Sequence, residues 1–345
     1  MQARMLTLLP AALLLVAAGC AMLERPEPAP VQSAIDLYVR GQLLAEGGDV
    51  EAALAELAAA VEADPTLSVA YSAAGDIHRK RGNWHAAAQS YEKACQANPF
   101  AFRPHYHLGL AYQTLAQAAE LAEQAHHYLL RAVEAYLQAD MLDPADADTD
   151  VNLAACYFEL GDVALAEQYA REAVANSPED AAARSNLGVI YETQDRLYEA
   201  IRAYKESLEI DPHQSDVLIS LGSAYMRQNR LKLAVSAFEI ATEEDPLAIA
   251  PWEQIGSCQY RMGQYIDAEE AYLRALELHE SGGSAAAYRG LGVVYMTRYV
   301  LDQEQADLRD KALIAWHASL EIKPDQPDLE RLVKKYTPAY DAPQL

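Results

Sequence analysis

Residues 181–212 read AAARSNLGVIYETQDRLYEAIRAYKESLEIDP and contain two apolar stripes with helical spacing. Leu187, Gly188 and Tyr191 lie at i, i+1 and i+4 and form one face of a first helix. A polar turn follows, and Ala200 starts a second stripe that continues four and seven residues later. The segment therefore predicts two short helices that pack against each other as a hairpin.

The same pattern recurs along the chain with a period of 34 residues. Each copy ends near a proline, because the residue before proline avoids the helical region and proline has no N–H to donate. Prolines with this spacing, apart from one interval of 45 residues, are Pro65, Pro99, Pro144, Pro178, Pro212 and Pro246. Glycines at matching positions are Gly41, Gly75, Gly109, Gly188, Gly222, Gly256 and Gly292. Self-similarity of this length indicates stacked helical hairpins rather than one globular core.

The repeat resembles the tetratricopeptide repeat (TPR), in which large-xx-Leu-Gly-xx-Tyr is followed by Ala-xxx-large-xx-Ala and then by proline. Eight copies can be placed on residues 33–325, with starts near residues 34, 68, 102, 147, 181, 215, 249 and 285. Seven copies have glycine at the eighth position, where the fourth has Ala154. The resemblance implies an all-α, right-handed superhelical solenoid of about eight TPR helical hairpins.

Residues 326–345 are predicted to form a capping helix and a tail. The segment PDLERLVKKY at residues 327–336 is amphipathic, and Leu329, Leu332 and Val333 would cover the apolar face of the last hairpin. A solenoid needs such a polar-backed end to remain in solution.

Two copies are longer than the others. The third has 45 residues between its prolines instead of 34, and the additional 11 form an Ala- and Glu-rich stretch at residues 116–126. This stretch has no glycine or proline and is expected to extend the hairpin as helix. The eighth copy has eight additional residues between Tyr295 and Ala312. Such inserts often form a binding edge of a solenoid, although they can also be spacers without function.

Residues 1–19 are predicted to be a lipoprotein signal peptide. Arg4 precedes an apolar stretch at residues 5–18, which is too short to span a bilayer comfortably. The stretch ends in Val-Ala-Ala-Gly-Cys, which resembles the bacterial lipobox, where cleavage precedes a cysteine that carries acyl chains. Cys20 is therefore predicted to be lipidated. The alternative is an ordinary signal peptide that is cut after a small-x-small site.

The lipidated cysteine and the following segment, residues 20–32, are predicted to tether the repeats to a membrane. Three prolines in this segment favour an extended polyproline spacer. The predicted localisation is the extracytoplasmic side of the bacterial cell envelope. Because Ala21 rather than aspartate follows the cysteine, the outer membrane facing the periplasm is favoured if the cell is Gram-negative.

The chain has 345 residues and a formal net charge of −24, which disfavours nucleic acid as a partner. It contains no phosphate-binding G-x-x-x-x-G-K-[ST] loop, no G-x-S-x-G and no H-E-x-x-H. His105 and His107 are two residues apart on a helix and cannot both bind one metal. The expectation is a protein that is not an enzyme and has no cofactor, metal or small-molecule substrate.

In the TPR family, positions 2, 5, 6, 9, 12 and 13 of each repeat face a concave groove. Position 6 carries side-chain amides at Asn152, Asn186 and Gln254. An amide offers both a donor and an acceptor to the backbone of an extended peptide. This row resembles the asparagine ladder in the TPR domain of O-linked N-acetylglucosaminyltransferases, which holds substrate backbones. Ordinary polar lining of the groove is the alternative.

Cationic and aromatic side chains are predicted to line the C-terminal end of the groove. They are Arg227, Tyr260, Arg261 and Arg289. In an acidic chain, these arginines could receive the carboxylates of a partner, or they could be solvated surface charge. The Lys/Asn clamp that certain TPR co-chaperones use on C-terminal peptides is absent at the matching positions.

These features predict a membrane-tethered scaffold or adaptor that binds protein or peptide partners in its concave TPR groove. The alternative is a structural assembly factor of an envelope secretion or pilus-type machine. Such a factor would act through its convex face and its repeat inserts, and the fold by itself does not decide between the two.

Overall fold

The computed structural model describes residues 30–279, 283–303 and 305–337. Within them the chain forms 17 α-helices and no β-strand, which confirms the predicted all-α fold of helical hairpins with a final capping helix. No helix in this part of the chain combines the length and hydropathy needed to cross a bilayer. The predicted signal peptide, Cys20 and residues 338–345 lie outside the described residues.

Sixteen of the helices pair as eight hairpins, and one helix follows them. The hairpins are α1 Pro30–Glu46 with α2 Val50–Ala63, α3 Ser68–Lys80 with α4 Trp84–Ala97, α5 Phe102–Gln117 with α6 Ala122–Leu142, α7 Ala147–Glu159 with α8 Val163–Asn176, α9 Ala181–Thr193 with α10 Leu197–Ile210, α11 Ser215–Arg227 with α12 Leu231–Glu244, α13 Ile249–Arg261 with α14 Tyr265–Glu277, and α15 Ala285–Leu301 with α16 Ala306–Ile322. The last helix is α17, Pro327–Tyr336.

The first helix begins earlier than the sequence predicts. Since α1 starts at Pro30, the last three residues of the predicted tether, residues 30–32, are helical. Proline is well suited to the first turn of a helix, because its N–H would have no partner there and its φ is already helical.

The chain divides into two compact units, of which the first ends at Pro144 and the second begins at Ala145. In each unit, a second helix packs against the first helix of the next repeat. In the second unit, the neighbouring first helices α7, α9, α11, α13 and α15 also contact one another in sequence. Neighbouring second helices of this unit contact one another less extensively, so the first helices line the inner side of this unit.

Seven of the eight hairpins close where a glycine of the first helix faces a large side chain of the second. A Cβ atom on Gly188 would lie only 2.6 Å from Cε1 of Tyr204, whose ring is almost fully buried. The sequence pattern pairs Gly188 with Ala200, which is also buried, but the ring of Tyr204 is the group that excludes a side chain. The other aromatic pairs are Gly75–Tyr91, Gly109–Tyr136, Gly222–Phe238, Gly256–Tyr272 and Gly292–Trp316.

In the fourth repeat, small residues occupy both of these positions. Ala154 occupies the glycine position and Ala170 occupies the ring position, and they are 2% and 1% exposed. Removing the ring therefore makes room for a methyl group on the first helix.

The inserts in the third and eighth repeats lengthen both helices of their hairpins. The additional residues lie next to the turn that joins the two helices. Helices α5 and α6 have 16 and 21 residues, and α15 and α16 have 17 each, against 13 and 14 in the fifth repeat. The predicted helical extension at residues 116–126 is present, although a turn at residues 118–121 interrupts it.

The capping helix α17 covers the apolar side of the last hairpin. Leu329 is 1% exposed and packs in one cluster with Met296, Ala312 and Trp316. Leu332 and Val333 contact the same cluster and are partly buried.

The three described cysteines, Cys95, Cys156 and Cys258, are unpaired. Burial raises the pKa of Cys156 to about 12, so this thiol is protonated at neutral pH. Such a group packs as a small apolar side chain.

Candidate functional site on the inner side of the first helices

Asn186 stands beside a small cavity on the inner side of the second unit. The cavity has a volume of about 140 Å³ and is also lined by Ala155, Phe158 and Val189. Asn186 is exposed, so its amide can reach a molecule that lies over the cavity. Glu159 lines the same cavity, and burial raises the pKa of its carboxyl group. The site offers an amide and an apolar recess next to each other.

The predicted row of amides follows the contacts between successive first helices. Asn152 on α7 and Gln254 on α13 are half-buried and occupy the same repeat position as Asn186. Between them, the hydroxyl of Ser220 donates to the carbonyl oxygen of Asp216 at 3.0 Å, so its proton is used within its own helix. The row therefore consists of three amides and one hydroxyl at the same repeat position.

Two of the predicted groove arginines contact the preceding repeat. Arg227 donates to Oε1 of Glu192 at 3.1 Å and to Oδ1 of Asp195 at 2.7 Å. Arg261 donates to Oδ1 of Asn229 at 2.9 Å. Both arginines thus join one hairpin to the turn of the hairpin before it, and their hydrogen-bonding capacity is partly used within the protein.

The turn residues that these arginines contact have an unusual backbone conformation. Asp195 and Asn229 have φ values of 59° and 58°, in the left-handed region. Four other turns place glycine at this position, namely Gly48, Gly82, Gly161 and Gly263. Asp and Asn tolerate positive φ better than most residues but still at a cost, which the arginine contact offsets.

This pairing predicts how substitutions in the turns affect stability. Asn229→Gly should change the free energy of unfolding by less than about 1 kcal/mol, because relief of backbone strain is offset by loss of the Arg261 contact. In an Arg261→Ala background, the same change should stabilise by about 0.5–1 kcal/mol. The measurement is urea unfolding followed by circular dichroism.

The seventh repeat supplies the matched control, because Thr297 takes the place of the arginine in the repeat that follows it. Gly263→Asn should destabilise by about 1 kcal/mol, since the strained turn gains no partner. If Gly263→Asn is neutral, the arginine contact is not what permits asparagine at this position.

Arg289 lies at a larger cavity near the C-terminal end of the inner side. The cavity has a volume of about 340 Å³, and Tyr260 and Lys323 also line it. The ring of Tyr272 also lines the cavity and packs tightly against Gly290, where a Cβ atom would lie 2.3 Å from Cζ of this ring. Arg289 and Lys323 are exposed and form no ion pair with any residue that the structure describes. Two free cations beside an aromatic ring can receive a carboxylate.

The repeat positions predict Tyr260 and Arg289 at this end of the groove but give no prediction for Lys323. Lys323 follows α16, outside the inner-side positions of the repeat, so the 34-residue period contains no signal for it. Tyr260 is held in place, because its hydroxyl lies 3.1 Å from Oγ1 of Thr297.

The first unit has its own inner cavity, of about 320 Å³, where Tyr38, Val69 and Phe102 lie beside polar residues. The two histidines near this cavity, His105 and His107, have separate surroundings. Nε2 of His105 lies 3.1 Å from the carbonyl oxygen of Pro99, and burial lowers the pKa of His107. The described residues contain no group of three potential metal ligands.

Family models described as the tetratricopeptide repeat match well over half of the chain. The matched residues are 33–68, 75–115, 145–213, 215–246 and 254–316. No curated relative matches the sequence.

Solved structures with the same architecture include pilF of Pseudomonas aeruginosa, at 18% identity and a TM-score of 0.54, which covers 68% of this chain and 97% of that one. A tetratricopeptide repeat protein of Parabacteroides merdae has 16% identity and a TM-score of 0.53 and covers 79% of this chain and 99% of that one. YrrB, described as a TPR protein with an unusual peptide-binding site, has 22% identity and a TM-score of 0.49, with coverages of 59% and 99%. At these identities the likeness concerns the fold alone.

Proposed function

Because the chain belongs to the tetratricopeptide repeat family, whose members are scaffolds for protein–protein interaction, we propose that the inner side of its second unit binds an extended segment of a partner protein. The observation that carries this proposal is a row of amides, Asn152, Asn186 and Gln254, with a cavity near each end. Amides can pair with both groups of a peptide backbone. The cavities can hold side chains at intervals along the peptide.

The two ends of this surface differ in chemistry. The cavity beside Asn186 is small and has Phe158 and Val189 in its lining, which suits an apolar side chain. The cavity beside Arg289 and Lys323 suits a carboxylate, because charge-assisted hydrogen bonds are about twice as strong as neutral ones. The proposed role is binding and positioning, without a catalytic step.

The first test is a cross-linking pull-down from envelope membranes with the full chain as bait. A variant with Asn152→Ala, Asn186→Ala and Gln254→Ala should recover about tenfold less partner, because three hydrogen-bonding positions are lost. Gln168→Ala is the matched control, since Gln168 is an exposed amide on the second helix α8. Undiminished recovery by a triple variant of wild-type helicity would exclude the inner side as the binding surface.

We also propose that the chain is a lipoprotein of the bacterial envelope, anchored through Cys20. The support is the sequence Val-Ala-Ala-Gly-Cys at the end of the apolar N-terminal stretch. Firm anchoring requires more than one acyl chain, because a single chain binds only marginally.

Substitution of Cys20 tests this anchor directly. Cys20→Ser should abolish incorporation of labelled palmitate and move the protein out of the membrane fraction. Cys95→Ser is the control, because Cys95 lies within the repeats and is half-buried, and it should leave labelling unchanged. Retention of label by Cys20→Ser would show that the lipid is attached elsewhere, and absence of label from the wild type would favour an ordinary signal peptide.

A second candidate function is that of an assembly factor that acts through its lengthened hairpins. The observation in its favour is that Val300 and Leu301, at the end of the lengthened helix α15, are 52% and 68% exposed. Shortening the eighth hairpin to the length of its neighbours should then abolish partner recovery, whereas the triple amide variant should retain it.

A further inference from the structure

The outer side of the second unit carries large apolar side chains that solvent can reach. They lie on second helices of the fifth, sixth and seventh repeats. The exposed fractions are 79% for Tyr198, 41% for Leu233, 44% for Ile240, 70% for Ile266 and 42% for Leu273. The inner row of the same unit is made of amides and a hydroxyl. Exposed apolar side chains that are grouped on one side of a soluble protein are candidates for an interaction site.

The first of two outer clefts lies between α10 and α12 and has a volume of about 400 Å³. Leu218, Leu221 and Tyr225 of α11 form its buried floor. Leu233 and Ile240 form an exposed apolar rim. This cleft can take an apolar side chain.

The second outer cleft lies between α12 and α14 and has a volume of about 800 Å³. Ile255 is buried at its base, and the half-buried ring of Trp252 lies beside it. Ile266 and Leu273 line it on the side of α14. It occupies the same place in the seventh repeat as the first cleft does in the sixth.

The second cleft differs from the first in its charge. Five carboxylate side chains line it, at Glu239, Asp267, Glu269, Glu270 and Glu277. Arg298 pairs with Glu269, and Arg274 pairs with Glu277 at 2.9 Å. Three carboxylates therefore have no cationic partner among the described residues.

The base of this second cleft also contains an unused hydrogen-bond acceptor. Oε1 of Gln259 is buried and accepts no hydrogen bond within the part of the chain that the structure describes. A buried polar atom without a partner costs free energy, so a donor from outside the chain would be bound favourably here.

We propose that the two outer clefts together bind a basic amphipathic helix of a partner protein. Helix α12 separates the clefts, and packed helices have axes about 8–10 Å apart. Two residues seven apart on one helix are about 10 Å apart and lie on the same face, so an apolar side chain and a lysine or arginine can enter adjacent clefts. An anionic membrane surface is disfavoured, because it would be repelled by the unpaired carboxylates. This surface is on the opposite side of the unit from the proposed peptide site and does not depend on it.

The probe is the capped peptide acetyl-(LKALAKK)3-amide, with binding to the immobilised full chain measured by surface plasmon resonance at physiological salt. One variant, Glu239→Gln with Glu270→Gln, removes charge from the second cleft. A second variant, Leu233→Ser with Ile240→Ser, replaces the apolar rim of the first cleft with polar side chains. These residues are exposed, so the substitutions should leave helicity unchanged. Each variant should weaken binding about tenfold or more, as for central interface residues.

The control is Glu243→Gln with Glu321→Gln, which removes the same charge at exposed positions that line neither cleft. It should weaken binding less than about twofold, since isolated surface charges contribute little. Equal weakening by the control would overturn the proposal and assign the binding to overall charge. Unchanged binding by either cleft variant would also overturn it. So would binding of the wild type to phosphatidylserine-containing vesicles that the peptide fails to displace.

Discussion

Gly188→Ala is expected to destabilise the protein while Tyr204 is present and to stabilise it once Tyr204 is alanine. A methyl group at position 188 would lie 2.6 Å from the ring of Tyr204, which is 1% exposed and cannot move aside without disturbing the core. Overpacking of this kind costs about 1–3 kcal/mol. Without the ring, the steric cost disappears and the higher helix propensity of alanine contributes about 1 kcal/mol.

A double-mutant cycle measured by urea unfolding checks this expectation. Tyr204→Ala alone should cost about 3–5 kcal/mol, because it leaves a cavity in the core. The two changes together should cost less than Tyr204→Ala alone. The coupling between them should be about 2–4 kcal/mol, because a cost of about 1–3 kcal/mol for Gly188→Ala becomes a gain of about 1 kcal/mol once the ring is absent. Natural precedent lies in the fourth repeat, where Ala154 and Ala170 occupy these two positions. A strictly additive cycle would mean that the ring does not determine the residue at position 188.

Leu329→Ala is expected to loosen the C-terminal end of the array. Leu329 is 1% exposed and contributes to the cluster that contains Trp316, so its truncation should cost about 2–5 kcal/mol. Because repeats contact only their neighbours, the eighth hairpin should open at lower denaturant concentration than the rest.

Fluorescence of Trp316 separates this local opening from global unfolding. In a background with Trp84→Phe and Trp252→Phe, only Trp316 remains, since the chain has three tryptophans. The fluorescence midpoint should fall below the midpoint of circular dichroism. Arg331→Ala is the matched control on the same helix, because Arg331 is 80% exposed and should shift neither midpoint measurably. Coincident midpoints for Leu329→Ala would contradict the expectation that the eighth hairpin opens before the rest of the protein.

The sequence predicts the hairpins well because the contacts within a repeat recur at fixed spacing. Glycine, alanine and proline at constant intervals report the crossing of two helices and the end of the second. The start of α1 at Pro30 is an exception, since the residues before the first repeat have no earlier copy with which to be compared.

The candidate sites were less predictable, because they depend on side chains that the repeat does not constrain. Arg227 and Arg289 both occupy inner-side positions in the sequence. Only the structure shows that Arg227 reaches Asp195 in the preceding turn, whereas Arg289 lines a cavity with Lys323. The outer clefts use residues such as Ile240 that no repeat contact requires to be apolar. Whether these residues form part of a site depends on where each side chain points and which residue it contacts. Neither property recurs every 34 residues, so the repeat pattern cannot predict it.

The capping helix α17 also limits how copies of the chain can associate. An uncovered last hairpin would present an apolar face to the first hairpin of another copy, and such head-to-tail contacts extend into open filaments when they do not close into a ring. Leu329 fills that face from within the same chain, and the opposite side of α17 carries charged residues that include Arg331 and Lys334. Addition of copies at this end is therefore blocked, and polymerisation through it is not expected.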